Sequence, residues 1–250
     1  VGAISSLGKT TLVLQMADQI AESRRDVLIF SLEMARTELM AKSISRYTLQ
    51  TVLSDKEDIQ NAKTAREIMT GKVYVSCNES EKKLVNRSMA KYGSCARYIY
   101  IIEGTSDTGV RQIREAIKKH IFCTGNTPVV IVDYLQILAP HSDRATDKQN
   151  TDKSVIELKR ISRDYKAVVV GVSSFNRANY KEAVAMEAFK ESGVIEYSSD
   201  VLIGLQLKGA GSKGFDVLEA KRKSPREIEL IILKNRNGST GGKVEFNFYP

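Results

Sequence analysis

The chain alternates short, continuously apolar runs with longer stretches in which apolar residues recur every three or four positions. The first periodic stretch places Leu12, Val13, Met16, Ala17 and Ile20 on one side of a helix over 11–20. An apolar run over 26–32 predicts a strand. Leu39, Met40, Ile44 and Tyr47 then predict a second helix, with Thr37 as its cap. Residues 54–96 are polar and charged, and predict two surface helices, over 59–69 and 84–92, joined by Lys72, Val73, Tyr74 and Val75. A strand over 98–102 leads to a helix marked by Val110, Ile113, Ala116, Ile117 and Ile121 and stopped by Gly125. Val129, Val130, Ile131 and Val132 form a continuously apolar strand ending in Asp133, the pattern of a buried parallel sheet. A hydrophilic loop over 140–152, a helix over 155–165, a strand over 167–172 and a loop over 173–192 come next. Strands over 200–207, 228–233 and 244–248 close the chain, the last two separated by a turn containing Asn237 and Gly238. Strands alternating with helices, then an antiparallel pair, predict an α/β fold: a mostly parallel central sheet flanked by helices, with a C-terminal antiparallel hairpin.

Composition narrows the class. With 250 residues, 42% of them hydrophobic, the chain suffices for a single sizeable domain over 1–250. A net charge of +8 favours an anionic partner such as nucleic acid, although a solvated basic surface has the same signature. Cys77, Cys95 and Cys123 stand far apart with no CxxC pair, which fits buried thiols in a reducing cytoplasm rather than disulfides or zinc. No apolar run approaches the roughly 18 residues of a membrane span and no signal-peptide pattern is visible, so the expected location is cytoplasmic, without a membrane partner. Only Val1 and Gly2 precede the first loop, so the first strand is expected to be truncated, and 54–96 reads as an insertion-like helical region.

Candidate chemistry starts at Ala3, Ile4, Ser5, Ser6, Leu7, Gly8, Lys9, Thr10 and Thr11, a phosphate-binding loop with Ala3 in its first, glycine-type position. Such a loop turns its backbone N–H groups around the phosphates of ATP. Gly8 lets the chain pass close, Lys9 reaches over the phosphate oxygens, and the Thr10 hydroxyl takes a Mg2+ site. The helix N-terminus that follows also favours anions. Asp133, at the end of its apolar strand, reads as the acidic partner for the metal held by Thr10. Many P-loop ATPases place a glutamate directly after that aspartate; Tyr134 stands there instead. The carboxylate that activates water is then expected elsewhere, and Glu33 is the candidate. It ends the strand after the first helix, which is expected to lie beside the loop strand.

Five further motifs occur in order: Ser31-Leu32-Glu33-Met34, Val132-Asp133-Tyr134-Leu135-Gln136, Ser173-Ser174-Phe175-Asn176-Arg177, Glu191-Ser192-Gly193-Val194-Ile195-Glu196 and Lys234-Asn235-Arg236-Asn237-Gly238. Together they make the chain resemble the C-terminal RecA-like motor domain of the DnaB-type replicative helicases, from Ala3 to Phe248. The resemblance implies a RecA-like P-loop NTPase fold and a homo-oligomeric ring, normally a hexamer, with ATP bound between subunits. It gives Glu33 the water-activating role, and Lys234 and Arg236 those of a lysine and an arginine finger reaching a neighbour's nucleotide. Two cations beside an Asn-Gly hairpin turn suit that task. Lys190, Glu191 and Gly193 match the loop that follows single-stranded DNA in the ring's channel, with Arg177 and Lys181 as candidate additions. Primase or a helicase loader are the partners implied.

Two departures stand out. The family has Gln at the position of Ser174, where it senses the γ-phosphate and couples it to the DNA loop. A serine is too short for the same reach, which leaves weaker coupling, a water bridge, or a transfer of the role to Asn176. Residues 208–226 carry six Lys/Arg against Asp216 and Glu219 and suit DNA contact or solubility equally. Two other function classes fit the P-loop: a RecA-like DNA-dependent ATPase acting in recombination without unwinding, and a nucleotide-switched, non-catalytic scaffold.

Overall fold

The structure is a computed structural model that describes residues 1–72, 75, 77–175, 182–189 and 193–250. It comprises two compact units, residues 1–10 with 105–250, and residues 11–104.

In the first unit a five-stranded sheet has β1 (Gly2–Ala3) at its heart, in the order β6-β1-β7-β8-β9. β6 (Ser173–Ser174) and β7 (Val201–Leu207) pair with β1 in parallel, one on each side. β8 (Arg226–Asn235) and β9 (Lys243–Phe248) complete the sheet in antiparallel fashion. β4 (Val129–Asp133) pairs in parallel with β5 (Val169–Gly171). The stretch 169–174 is therefore split between two strands, its first half hydrogen-bonded to β4 and its second to β1. The single strand expected over 167–172 ends early because Val172 donates to Val132 O at 2.9 Å, while Ser173 N turns to Val1 O at 2.8 Å. That split sets the Asp133 strand and the loop strand near one another.

Helices α5 (Val110–Thr124) and α6 (Asp147–Tyr165) belong to this unit, and their buried stripes are Val110, Ile113, Ile117 on one and Val155, Leu158, Ile161 on the other. Gly125 ends α5 in the left-handed conformation at φ 73°, as expected of a glycine stop. α6 starts eight residues earlier than its apolar spacing suggests. Thr146 and Gln149 cap each other's backbone N–H groups, at 3.2 and 3.0 Å, so polar residues open the helix. Short helices α7 (Gly193–Ser198) and α8 (Val217–Arg222) follow.

The second unit takes most of α1 (Lys9–Glu22), then β2 (Val27–Ser31), α2 (Arg36–Ser54), α3 (Ala65–Met69), α4 (Glu79–Ala96) and β3 (Ile99–Glu103), with β2 and β3 parallel. Its core joins Ala21, Ile44, Tyr47, Tyr92 and Cys95. Buried Asp18 accepts from Arg46 at 2.8 Å and Ser43 at 3.1 Å; burial still pushes its carboxyl pKa up. Thr37 is not the cap of α2. Ala35 holds that position, and the first turn is fixed by carboxylates: Ala35 N donates to Glu38 at 3.2 Å and Arg36 N to Glu103 at 2.5 Å. The helix expected over 59–69 is broken into a 3₁₀ turn (Ile59–Asn61) and α3, because Lys63 N is drawn to Thr48 Oγ1 at 2.9 Å. α4 is longer than 84–92, capped at its start by Asn78. Val73 and Tyr74, in the expected joining segment, lie outside the described residues. Of the cysteines only Cys95 is buried; Cys123 falls off the apolar stripe of α5 and is exposed.

Candidate functional site

The chain leaves β1 at Ala3 and turns through Ile4, Ser5, Ser6 and Leu7 before α1 begins at Lys9. Two left-handed residues make the turn, Ser6 at φ 62° and Gly8 at φ 83°. Gly8 is required twice over. Its φ disfavours any side chain, and an added Cβ would lie 3.2 Å from the Phe248 ring. Ala3 and Leu7 are buried and anchor the loop from beneath, while Ser5 and Ser6 are exposed. Lys9 folds back over its own loop, donating to Ala3 O and Ile4 O at 3.2 Å each. Thr10 Oγ1 donates to Asp133 Oδ2 at 2.7 Å, with Asp133 buried. Residues 123 positions apart thus bring a hydroxyl and a carboxylate together at the first turn of a helix.

Hard oxygen ligands of this kind suit Mg2+, which takes one or two protein oxygens and fills its remaining positions with phosphates and water. Among the described residues no cluster of three His, Cys, Asp or Glu side chains is found. Thr11 lies in the first turns of α1.

The other expected residues among those described fall at four places. Ser174 stands in β6 directly opposite Ala3 in register, its N–H 3.4 Å from Gln136 Oε1, while Gln136 Nε2 donates to Ser173 Oγ at 2.8 Å. Glu33 is exposed in the turn after β2, a turn pinned by Ser31 Oγ donating to Met34 O at 2.6 Å. The expected neighbourhood of β2 and the loop strand is corrected: both sides of β1 are taken, by β6 and β7. Those strands come from much later in the chain, and nothing local in the sequence announces their pairing. Lys234 and Arg236 sit at the far end of β8. Lys234 Nζ donates to Glu196 O at 2.6 Å; Arg236 pairs with Asp200 at 3.1 Å, and its backbone N–H donates to Asp200 O at 2.8 Å. Asp200 also receives Lys159 Nζ at 2.5 Å, and these cations, Lys159 first, hold its carboxyl pKa below the usual range. Gly193 opens α7. Asn176, Arg177, Lys181, Lys190 and Glu191 lie outside the described residues.

The sequence reading missed a group on the loop itself. Lys221 Nζ donates to Ser5 O at 2.9 Å and Arg226 Nη1 to Ser6 O at 2.9 Å, while the Arg226 guanidinium lies 5.8 Å from the centroid of the Phe248 ring. Three of the six cations over 208–226 are thereby engaged within the chain, since Lys208 pairs with Glu245 at 2.8 Å. No local signal pointed there; the contacts span more than two hundred residues. Arg226 thus holds the carbonyl of a left-handed residue, Ser6 at φ 62°. Arg226→Ala is expected to weaken ATP affinity by up to about tenfold, the worth of one partly exposed charge-assisted hydrogen bond. Arg226→Lys should lie in between. Titration with a fluorescent ATP analogue checks it, and an unchanged Kd in Arg226→Ala refutes it.

The whole chain, residues 1–250, matches the family model for the DnaB-like helicase C terminal domain. The chain belongs to that family. Curated relatives include the probable replicative DNA helicase of Trieres chinensis, 23% identical over 244 residues covering 94% of this chain and 48% of that protein. The replicative DNA helicase DnaB of Helicobacter pylori (strain 26695) is 24% identical over 96% of this chain and 51% of its own length. The chain thus spans about half the length of the curated relatives it matches. Among solved structures, a DnaB-like replicative helicase, solved with reference to its interactions with primase, superposes with a TM-score of 0.77 at 22% identity, covering 98% of this chain and 53% of that one. A separately solved ATPase domain gives 0.79 at 21% identity, covering 98% and 78%. The fold is therefore the α/β fold of DnaB-like ATPase domains, as the motif order implied.

Proposed function

We propose that this DnaB-like domain is the motor of a replicative DNA helicase, hydrolysing ATP at the interfaces of a homo-oligomeric, hexameric ring to move along single-stranded DNA. The observation that carries the reading is the Thr10–Asp133 hydrogen bond at 2.7 Å, beneath a phosphate loop already turned by Ser6 and Gly8. In this reading Ala3 to Thr11 hold ATP, with Lys9 moving from the carbonyls of Ala3 and Ile4 to the β- and γ-phosphates. Thr10 and Asp133 would hold Mg2+, which supplies charge neutralisation between those phosphates. Glu33 orients and deprotonates the attacking water, an assignment that rests on the family motif. Lys234 and Arg236 act on the neighbouring subunit's nucleotide, and Ser174 with Asn176 takes the place of the family's glutamine sensor. Lys190, Glu191, Gly193 and Arg177 follow the DNA backbone. Primase or a helicase loader is the proposed protein partner, supported by the primase named with one similar helicase, and the proposed location is the cytoplasm. Among the described residues no helix is long and apolar enough to cross a membrane.

The deciding experiment is unwinding of a forked DNA duplex by the full-length protein with ATP and Mg2+. Unwinding that disappears in Asp133→Asn supports the reading; ATP turnover with no unwinding overturns it in favour of a recombination-type ATPase. For the DNA loop, Lys190→Ala is expected to weaken single-strand binding about equally across sequences and to reduce the log Kd against log salt slope by up to about one unit. A loss confined to some sequences would mean base readout and contradict a backbone contact.

A further inference from the structure

Lys159, Lys234 and Arg236 gather around Asp200, and of the three cations Lys159 belongs to none of the motifs read from the sequence. It lies within α6, and its Nζ donates to Asp200 Oδ2 at 2.5 Å. The other carboxylate oxygen, Oδ1, stands 3.1 Å from Arg236 Nη1. Lys159 is the better covered of the two, its side chain 27% exposed against 54% for Arg236. The shorter bond thus goes to the more sheltered ammonium, and the longer one to a guanidinium in solvent. The backbone beside them is fixed separately. Arg236 N donates to Asp200 O at 2.8 Å, and Lys234 Nζ donates to Glu196 O at 2.6 Å. Just before these residues β8 carries one extra position: Leu202 pairs with Lys234 but Ile203 with Ile232, so Leu233 is bulged. A bulge re-aims the residues that follow it. The strand end is therefore directed by backbone bonds and the bulge, and the Asp200 carboxylate is left to govern the Arg236 side chain.

We propose that Lys159 is a positioning residue for the Arg236 finger: by sharing the Asp200 carboxylate it weakens that carboxylate's hold on the guanidinium, and so lets Arg236 pass to the neighbouring subunit's nucleotide. The inference rests on the proposed trans-acting role of Arg236, and adds to it a residue that touches neither nucleotide nor DNA. The reason is electrostatic competition. Two cations on one carboxylate repel each other and divide its charge, so each is bound less tightly than it would be alone. Lys159 is the partner that stays, because α6 packs against α7, which ends two residues before Asp200. Without Lys159 the finger would stand beside an unshared anion. Arg236 would then give up a stronger pair before reaching a phosphate, and would engage less often. For exposed groups such a change is worth up to about fivefold in the equilibrium.

The test is steady-state ATP turnover by the assembled full-length protein. Lys159→Met keeps the aliphatic stem and removes the charge. It is expected to lower kcat about threefold to fivefold while KM for ATP stays within about twofold. Adding Asp200→Asn removes the anion, keeps an oxygen acceptor and spares the backbone bond, and should restore most of that loss. The defect must also act in trans. When Lys159→Met subunits are mixed with Glu33→Gln subunits, some intact Glu33 residues face fingers that retain Lys159, so turnover per Lys159→Met subunit should rise about twofold. Wild-type kcat in Lys159→Met, or a loss that Asp200→Asn does not relieve, overturns the proposal. A kcat loss that follows a loss of ring assembly overturns it too, because the pair then serves the fold alone. Arg236→Ala subunits mixed with Glu33→Gln subunits are the control. If they recover turnover and the Lys159→Met mixture does not, this inference alone falls; if neither recovers, the trans-acting finger falls and takes the inference with it.

Discussion

Lys9→Ala is expected to reduce ATP turnover by on the order of 10³-fold and to weaken ATP binding itself. Lys9 is the loop's own cation, folded over the carbonyls of Ala3 and Ile4. Lys221 and Arg226 approach the loop too, but they donate to the carbonyls of Ser5 and Ser6 and hold its shape. Lys9 Nζ donates to Ala3 O and Ile4 O at 3.2 Å each. Trading these for phosphate oxygens replaces neutral partners with charged ones, and such hydrogen bonds are about twice as strong. Folding should be little affected, since Ala3 O keeps its bond from Phe175 N at 3.0 Å. The measurement is steady-state ATPase beside thermal unfolding. Undiminished turnover in a folded Lys9→Ala protein would refute the nucleotide site as assigned.

What the sequence made legible was whatever local pattern determines. The strand Val129–Asp133 was readable to the residue because five consecutive positions leave no alternative phase. The loop residues and Asp133 were readable because their chemistry depends on short spacings. Strand order was not. β6 is only Ser173–Ser174, polar and two residues long, and exists as a strand because Gly2 and Ala3 offer it a partner. Its insertion beside β1 displaced the neighbourhood expected for the strand before Glu33. The start of α6 was a different kind of miss: Thr146 and Gln149 carry a capping signal, but the apolar period starts later. The Arg226 and Phe248 contacts on the loop depend on pairing between β8 and β9, which places Arg226 opposite Phe248, and no short window of sequence contains both.

Arg236→Ala is expected to leave ATP binding by an isolated subunit nearly intact and to cut turnover in the assembled ring by on the order of 10³-fold. Strand register supplies the reason. β7 runs parallel to β1, with Leu205 level with Ala3 where the phosphate loop departs. Arg236 follows Asn235, which pairs with Val201 at the opposite end of β7. The four residue steps from Val201 to Leu205 span about 13 Å at ~3.3 Å each, and β7 and β8 add roughly two strand spacings of ~4.8 Å sideways. That exceeds the reach of an arginine side chain, which supports the proposed action of Arg236 on a neighbouring subunit's nucleotide. Its present partner, Asp200, is half-exposed and shared with Lys159, and an exposed ion pair of this kind costs at most about 1 kcal/mol to break. In the proposed role the guanidinium gives up this pair for the neighbouring nucleotide. Mixing decides the matter: subunits carrying only Arg236→Ala are combined with subunits carrying only Glu33→Gln. At one kind of interface an intact Glu33 then faces an intact Arg236, and turnover should partly return. Mixtures that exchange subunits yet recover nothing would show that Arg236 does not act across the interface, and the ring mechanism would lose its trans-acting cation.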